Sequence, residues 1–371
     1  MSSLAQSDLV CFSHLRWRWV YQRPQHLLTR AARDRRVFVL EEPEFAGDAP
    51  SFTRESVAPG VTVIRPSLPV GTGDVDGVTL QREILDRWLE EDGVEPGTLW
   101  YYTPQALPFS SHVQAALTVY DCMDELTLFA GARPELRLLE RQLLARSSVV
   151  FTGGYSLYEA KRRLHSNVHP MPSSVDRAHF CAARTLPRDP LDHAGIPRPR
   201  IGYSGVIDER LDLDLIAGIA DARPDWHQVF VGPVTKIAPS SLPQRPNIHY
   251  LGGRDYAALP DALAAWDVGS MPFALNDATR YISPTKTPEY LAAGLPVVST
   301  PILDVVRSWG ADGLAHIAES VETYVAAIQA SLAEDASARL AKVDRILAED
   351  SWDITWNRMQ AAMSRAVARV A

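Results

Sequence analysis

Cysteine is scarce in this sequence, and the three that are present, Cys11, Cys122 and Cys181, lie far apart. An odd and dispersed set provides neither a disulfide framework nor a pair of metal ligands. The sequence therefore excludes a disulfide-stapled fold and favours a reducing compartment.

Long apolar runs are missing as well. No stretch reaches the roughly 18 apolar residues that are needed to span a bilayer. Residues 1–8 lack the basic segment, apolar core and small-residue cleavage site of a secretory signal. We expect a cytoplasmic protein, and peripheral contact with the inner membrane surface stays open.

Basic charge is in deficit, because 37 Lys and Arg residues face 45 Asp and Glu residues and the formal net charge is −8. Nucleic-acid binding requires a clustered basic surface, so this balance excludes a dedicated nucleic-acid binder. Any recognition of phosphate has to be local.

The composition that remains is that of a globular enzyme, with 46% hydrophobic and 22% charged residues in 371. This length exceeds one ordinary core and predicts two domains. Short apolar runs alternate with helical patterns, which predicts an α/β fold with parallel sheets and helices on both faces. In the first half the predicted strands are residues 9–12, 37–40, 61–64, 99–102, 117–120 and 149–151, and the predicted helices are residues 24–32, 80–91, 135–145 and 157–164.

The alternation is interrupted between residues 185 and 199, where four prolines indicate an exposed linker. We therefore predict Rossmann-like doubly wound domains at residues 1–193 and 194–351, followed by a helix at residues 352–371 whose pattern runs from Trp352 to Val370. Open α/β sheets bind ligands beyond the carboxyl ends of their strands. Two such sheets facing each other across a cleft predict a site built from loops that follow strands.

The strongest local signal lies in residues 283–300. Ser283 is a suitable cap for a helix that begins at Pro284, and Gly294 ends that helix before a short buried strand. The free N–H groups and partial positive charge of a helix N-terminus suit a diphosphate. Lys286 and Glu289 share one face of this helix, where the cation can meet phosphate and the carboxylate can accept hydrogen bonds from ribose hydroxyls. The alternative is an ordinary capped helix with a surface ion pair.

Several segments together resemble the nucleotide-sugar glycosyltransferases of the GT-B fold, of the bacterial group 1 type. The clearest is the run EYLAAGLPVVST at residues 289–300. It is joined by SHLRW and YQRPQHLL at residues 13–17 and 21–28, VYDCMDE at residues 119–125, and IGYSG at residues 201–205. The likeness extends over most of the chain.

This resemblance implies that residues 194–351 bind the donor, that residues 1–193 bind the acceptor, and that the last helix crosses back to the N-terminal domain. It assigns the ribose to Glu289 and the diphosphate to Lys286 and the N–H group of Thr285, with Ser283 beside them. Retention at the anomeric carbon is the expectation. Retaining members carry a first Glu where this chain has Tyr281, with Asn276 and Asp277 nearby.

Further donor-binding candidates follow strands of the second half. Gly202 and Gly205 flank a turn where the absence of a side chain lets the backbone approach phosphate, and Arg210 adds a cation. A tight turn without a ligand is the alternative. Tyr250 and Leu251 follow another strand and are candidates for binding the base, with simple packing as the alternative.

Candidates in the first half also follow strands. His14 has a pKa suited to taking a proton from an acceptor hydroxyl or to steadying the donor, although a loop His is more often a structural hydrogen-bonder. Asp121 is a second candidate base. The acceptor-binding candidates are Arg16, Trp17, Gln22, Arg23, Gln25 and Asp124, and packing of the tryptophans under the first helix is the alternative for part of this group.

No metal site and no cofactor are expected, because Asp121 and Asp124 lack further carboxylates or His nearby. The helix dipole, Lys286 and Arg210 would stabilise the leaving diphosphate instead. The predicted function is transfer of a sugar from a nucleoside-diphosphate sugar, UDP-sugar foremost, to a hydroxyl of a glycan, a lipid-linked carrier or a small molecule. Two alternatives stay open: an epimerase of the same fold, and a non-catalytic nucleotide-sugar-binding partner of an assembly complex.

Overall fold

The computed structural model describes residues 7–187, 189–190 and 192–368. The chain divides into two compact units, the first formed by residues 1–127, 131–171 and 355–371 and the second by residues 128–130 and 172–354. Part of the predicted N-terminal and C-terminal segments, residues 1–6 and 369–371, lies outside the described residues. Within the described part of the chain, no helix is both long and apolar enough to cross a membrane.

The first unit contains one nine-stranded sheet with the order β3-β5-β2-β1-β6-β7-β8-β9 and β4 paired to β5. Its elements are β1 (Asp8–Ser13), α1 (Arg23–Ala31), β2 (Val37–Glu41), β3 (Glu44–Phe45), β4 (Ser51–Ala58), β5 (Val61–Leu68), α2 (Asp74–Glu91), β6 (Pro96–Tyr101), α3 (Leu107–Ser110), β7 (Leu117–Cys122), α4 (Leu136–Arg146), β8 (Val149–Thr152), α5 (Tyr155–Lys161) and β9 (Val168–Pro170). The six predicted strands correspond to β1, β2, β5, β6, β7 and β8.

Strand β4 was not predicted, and it pairs antiparallel with β5 in a sheet whose other pairs are parallel. Its sequence, SFTRESVA, is largely polar and it has no buried residue. Backbone hydrogen bonds to β5 hold this strand in place, so it does not need an apolar face. Without the apolar periodicity of a buried strand, the sequence pattern could not identify it.

The second unit contains a six-stranded parallel sheet with the order β12-β11-β10-β13-β14-β15. Its elements are α6 (Arg177–Cys181), β10 (Arg200–Ser204), α7 (Leu213–Ala222), β11 (His227–Val231), β12 (Ile248–Tyr250), α8 (Leu259–Ala264), β13 (Val268–Met271), α9 (Lys286–Ala292), β14 (Val297–Ser299), α10 (Leu303–Val305), β15 (Ala315–Ile317), α11 (Val321–Ala333) and α12 (Ala336–Ala348). The final helix, α13 (Trp352–Ala368), follows. The two α/β sheets, parallel except for the pair of β4 and β5, confirm the predicted α/β fold class.

The two units divide earlier in the chain than the predicted boundary near residue 194. Phe180 and Ala183 are buried in the hydrophobic core of the second unit, so the segment before the prolines already belongs to it. From Thr355 onward the chain groups with the first unit, where Trp356 is buried with its ring centroid 6.2 Å from that of Trp100.

The strand order turns between β1 and β6 in the first unit, where the descending run β5-β2-β1 meets the ascending run β6-β7-β8-β9, and between β10 and β13 in the second. The crevice at such a switch point is the usual ligand site of an open α/β sheet. His14 directly follows β1, and Gly205 directly follows β10. The fold thus places both residues at switch points of their own sheets.

Candidate functional site

In the second unit, the loops that follow β10 and β11 touch through glycine backbones. Gly205 has a φ of 139° and donates its N–H to the carbonyl of Val231 at 2.9 Å. A Cβ atom on Gly232 would lie 1.8 Å from the carbonyl oxygen of Gly205. Side chains at these positions would force the loops apart, so glycine keeps this turn narrow.

Lys286, at the start of α9, lies against this turn. A Cβ atom on Gly205 would come within 2.4 Å of Cε and 2.7 Å of Nζ of Lys286. The ammonium group is 5.5 Å from the ring centroid of Tyr203, the aromatic residue two positions before Gly205. The structure therefore brings together two of the predicted donor-binding residues, which lie far apart in the sequence.

The helix carrying Lys286 begins later than predicted. Helix α9 has seven residues with Thr285 as its N-cap, so Ser283 is not the cap and stands in the preceding loop. Pro288 explains the shift. A helix starting at Pro284 would need the absent N–H of Pro288 to donate to Pro284, whereas a start at Lys286 places Pro288 in the first turn, where no such bond is required.

Helix α9 is anchored to β10 by Tyr290, which is fully buried. Its hydroxyl oxygen accepts a hydrogen bond from the N–H of Ser204 at 2.7 Å and lies 3.2 Å from the Ser204 hydroxyl. The ring sits where Gly269 has no side chain, since a Cβ there would be 2.4 Å away. The sequence motif contains Tyr290 but not Gly269, which lies in β13, and the positioning role of both residues becomes visible only from the packing.

Glu289 is half-buried, one helical turn beyond Thr285. Burial raises the pKa of its carboxyl to about 7, against the opposing effects of the Lys286 charge and a hydrogen bond with Thr285. A carboxyl group in this state can exchange a proton near neutral pH and accept hydrogen bonds from hydroxyl groups when ionised. Its environment is compatible with the predicted ribose contact.

Arg210 is held in a fixed orientation by the buried carboxylate of Asp208. Nε of Arg210 donates to both carboxylate oxygens at 2.9 and 3.1 Å, and Nη2 donates to Oδ2 at 2.8 Å. The guanidinium carbon lies 5.9 Å from the ring centroid of Phe129, in the segment Leu128–Ala130 that groups with the second unit. This two-pronged pair keeps a rigid cation next to the loop after β10.

The two residues predicted to bind the base are engaged in packing. Tyr250 stacks on Phe230 with ring centroids 5.3 Å apart, and its hydroxyl donates to the carbonyl of Pro243 at 3.1 Å. Burial raises the pKa of Tyr250 to about 12. The backbone N–H of Leu251 donates to the carbonyl of Phe230 at 2.9 Å, and the Leu251 side chain packs against the hydrophobic core of the second unit. These contacts favour the packing alternative for both residues.

In the first unit, Asp121 and Arg23 form a buried ion pair with relative exposures of 0% and 2%. Nη2 of Arg23 donates to Oδ1 of Asp121 at 2.8 Å, Nε lies 3.0 Å from Oδ2, and Nη1 donates to the carbonyl of Met171 at 2.7 Å. The carboxylate of Asp121 is used in this buried ion pair with Arg23 and is not available to an acceptor hydroxyl. This corrects its predicted role as a base and the predicted acceptor contact of Arg23.

The other polar candidates near α1 also serve the local structure. Gln25 is buried and donates to the carbonyls of Trp17 and Val20 at 2.7 and 3.0 Å, while its side-chain oxygen accepts from the N–H of Gln22 at 3.0 Å. Arg16 donates to the buried carboxylate of Glu41 at 3.0 Å. These contacts correct the acceptor-binding prediction for Gln25 and give Gln22 and Arg16 structural bonds.

Three further candidates lie in loops that follow strands. His14 and Asp124 are half-buried in the loops after β1 and β7, and Trp17 is half-buried, with its backbone N–H donating to Oε1 of Glu41 at 2.7 Å. Their predicted roles stay predictions. Among the residues that the structure describes, no group of three His, Cys, Asp or Glu side chains is arranged to hold a metal ion.

A cavity of about 260 Å³ opens at the carboxyl ends of β1, β2 and β6 in the first unit. Carboxylate, hydroxyl and amide groups line it together with Phe12, Phe45 and Phe109. The polar lining residues are Ser13, Glu41, Glu42, Gln81, Thr103, Gln105 and Arg133. Sequence patterns did not identify this cavity, because its residues come from separate loops and share no motif.

Residues 198–334 match the family described as glycosyl transferases group 1. This span includes every residue predicted above to bind the donor or its base. A second similarity is to TuaH of Bacillus subtilis (strain 168), named as a teichuronic acid biosynthesis glycosyltransferase, with 28% identity over 54% of this chain and 55% of TuaH. The chain thus aligns with about half of the length of this relative.

Solved structures resemble the chain over almost its whole length. Sucrose-phosphate synthase from Thermosynechococcus elongatus has a TM-score of 0.76 at 14% identity, covering 98% of this chain and 100% of that one. The catalytic domain of starch synthase IV from Arabidopsis thaliana, bound to ADP and acarbose, has a TM-score of 0.68 at 10% identity, with coverages of 98% and 99%. A trehalose-6-phosphate structure from E. coli bound with UDP-2-fluoro glucose has a TM-score of 0.69 at 12% identity, with coverages of 96% and 99%. These likenesses confirm the predicted GT-B fold.

Proposed function

We propose that this chain, which has the GT-B fold and carries a group 1 glycosyltransferase domain, transfers a sugar from a nucleoside-diphosphate sugar to a hydroxyl group of an acceptor. The observation that carries the proposal is the contact of Lys286 with the glycine turn at Gly205, one helical turn from Glu289. These three residues lie within the segment that matches the glycosyltransferase family.

In this proposal the diphosphate lies against Gly205 and the ammonium group of Lys286, and Arg210 supplies a second cation. Glu289 accepts hydrogen bonds from the ribose. Because α9 has only seven residues, the side-chain cations would contribute more than the helix dipole to stabilising the leaving diphosphate. We propose that the reaction needs no added metal ion or cofactor and that it retains the anomeric configuration.

UDP-sugar is the proposed donor. The E. coli neighbour holds UDP-2-fluoro glucose and the starch synthase holds ADP, so this fold accommodates more than one nucleoside diphosphate. The base-binding residues must be sought beyond Tyr250 and Leu251, whose contacts are with the protein itself.

The acceptor is proposed to bind in the cavity of the first unit. Amide, hydroxyl and carboxylate groups such as those of Gln81, Thr103 and Glu42 suit the hydroxyl groups of a sugar, and the phenylalanine rings suit its apolar faces. A glycan, a lipid-linked carrier and a small sugar all satisfy this chemistry. The name of TuaH is a reason to test cell-wall polysaccharide acceptors first.

The donor assignment can be tested by calorimetry and thermal shift with UDP, GDP, ADP and TDP and their glucose or mannose conjugates. A ligand that binds only the folded protein raises its melting temperature. We expect one nucleotide series to bind the wild type, and Lys286→Ala to weaken that binding at least about tenfold, since hydrogen bonds to charged groups contribute about 1.5–3 kcal/mol. Lys342→Ala, which removes a lysine from α12 in the same unit, serves as the matched control.

Three outcomes would redirect the proposal. Failure of a well-folded wild type to bind any of the eight ligands would argue against a donor site. Conversion of the bound sugar nucleotide to its epimer without an acceptor, monitored by NMR, would replace transfer with epimerisation. Binding without turnover in the presence of cell-wall acceptors would instead favour the non-catalytic binding partner.

A further inference from the structure

The loop after β11 carries a lysine that no sequence motif identified, Lys236. This loop runs beside the loop after β10, with hydrogen bonds from Ile207 N–H to the Pro233 carbonyl at 2.9 Å and from Thr235 N–H to the Ile207 carbonyl at 3.0 Å. The pairing brings Lys236 next to Glu209. Both residues therefore lie at the carboxyl end of the sheet that also carries Gly205.

The backbone of Lys236 is in the left-handed region. Among the described residues it is the one non-glycine residue with a positive φ, at 61°. Residues with side chains adopt this conformation uncommonly, and where they do, it often marks a functional constraint. A glycine would fit this backbone more easily, so the presence of lysine calls for a role of its side chain.

The ammonium group of Lys236 belongs to a cluster of two cations and two carboxylates, because Arg210 is paired with Asp208 and Lys236 lies 3.9 Å from Glu209. Its Nζ lies 4.6 Å from the ring centroid of Phe129, and the guanidinium of Arg210 lies 5.9 Å from the same ring. An aromatic face attracts cations, so the ring of Phe129 holds both side chains at the same place. The side chain of Lys236 is 51% exposed, so it is accessible to a ligand.

The adjacent carboxylate of Glu209 has an unsatisfied atom. Its Oε1 is 3.9 Å from Nζ of Lys236, is buried, and accepts no hydrogen bond within the described part of the chain. The hydroxyl of Thr235 is in the same condition. Buried polar atoms in native proteins are nearly always hydrogen-bonded to protein, water or ligand, so these two atoms on neighbouring loops are candidates for hydrogen bonds with a ligand.

We propose that Lys236 and Glu209 complete the donor site: the ammonium group of Lys236 binds the diphosphate, and the carboxylate of Glu209 accepts a hydrogen bond from a hydroxyl of the sugar being transferred. A carboxylate repels phosphate, so its partner beside a diphosphate has to be a hydroxyl donor. This inference rests on the proposed function, because it assumes that a sugar nucleotide occupies the second unit.

The test uses the full chain with Lys236→Gly and Glu209→Gln, titrated by calorimetry with UDP, UDP-glucose, GDP and GDP-mannose. Lys236→Gly should weaken binding of both the diphosphate and its sugar conjugate by about tenfold or more. Its melting temperature should be unchanged or higher, because glycine accepts the left-handed backbone. Glu209→Gln should weaken binding of the sugar conjugate by roughly tenfold, while the affinity for the diphosphate should be nearly unchanged.

Lys342→Met is the matched control for loss of one positive charge and should bind like the wild type. If Lys286→Ala weakens binding while Lys236→Gly does not, the role of Lys236 is wrong and the proposed function stands. Equal losses for diphosphate and sugar conjugate in Glu209→Gln would overturn the sugar contact. A wild type that binds none of the four ligands would remove the proposed function, and this inference with it.

Discussion

Asp121 and Arg23 are separated by 98 positions in the sequence and form a buried ion pair in the first unit. The sequence predicts Asp121 as a catalytic base, because it follows a strand, and Arg23 as an acceptor-binding residue next to a helix start. The pairing shows that an aspartate at the end of a strand can be used entirely within the protein. Its effect should therefore appear in stability rather than in a catalytic step.

We predict that Asp121→Asn lowers the free energy of unfolding by about 3–5 kcal/mol, because it leaves the Arg23 guanidinium buried without its counter-charge. Urea unfolding followed by circular dichroism measures this difference. Asp48→Asn, at an exposed loop position, is the control and should change stability little. Normal stability combined with lost activity in Asp121→Asn would restore the role of a base.

Glu289 gives a prediction about pH. Its pKa is raised to about 7 in the folded protein, so the native state holds the proton more tightly than the unfolded chain does. The stabilising contribution of the protonated carboxyl is present below pH ~4.5 and is lost as pH rises through about 7. Between pH 5 and 8 the wild type should lose up to about 3 kcal/mol of stability relative to Glu289→Gln.

Chemical unfolding of both proteins at pH 5, 6, 7 and 8 provides the measurement. Parallel curves for the wild type and Glu289→Gln would mean that this carboxyl titrates at its ordinary value. In that case the environment of Glu289 would be more polar than its half-buried position suggests.

At the scale of single elements, the turn after β10 sets the geometry of the candidate donor site. It combines a left-handed Gly205, the adjoining Gly232 and the side chain of Lys286 from α9. The order of strands places this turn at the switch point of the second sheet. Replacing one Cα hydrogen of Gly205 with a methyl group should therefore affect ligand binding.

We predict that Gly205→Ala weakens binding of the nucleoside diphosphate by about tenfold, an estimate based on loss of one charged contact. The added methyl group would meet Cε of Lys286 at 2.4 Å on a backbone with a φ of 139°, so the lysine has to move away. Calorimetric titration checks the affinity, and a thermal melt checks the fold. Gly253→Ala is the control, since its nearest neighbour would be Cδ of Pro233 at 3.9 Å. Unchanged affinity in Gly205→Ala would remove Lys286 from the phosphate contact.

At the scale of the whole molecule, the two units are not consecutive in the sequence, because the first unit contains segments from before and after the second. Residues from Thr355 onward group with the first unit, although they come last in the sequence. Trp356 and Met359 of α13 are buried, and the Trp356 ring lies 6.2 Å from that of Trp100 on β6. The first unit is therefore completed only when the end of the chain has been made.

Trp356→Ala should destabilise the first unit by about 3–5 kcal/mol, the usual loss for truncating a buried large aromatic residue. The second unit should retain its own stability, because its hydrophobic cores are formed by its own residues. Hydrogen exchange resolved by mass spectrometry can separate the two units. Faster exchange in β6 and β7, with β10 and β13 unchanged, is the expected pattern. Asn357→Ala, at an exposed position on the same helix, is the control.

The sequence by itself determined the two α/β units, the GT-B likeness and the neighbourhood of Lys286 and Glu289. The two units and the neighbourhood of Lys286 and Glu289 follow from periodicity, strand-end position and the proline and glycine pattern, which act over a few residues, whereas the GT-B likeness rests on segments such as residues 289–300 that resemble that family. The tertiary structure decided which side chains remain available to a ligand. It placed Asp121 and Arg23 in a buried pair, engaged Tyr250 and Gln25 in packing and loop contacts, and brought Lys236 beside Glu209. Such pairings depend on which distant segments become neighbours when the sheets form, and no local pattern contains that information.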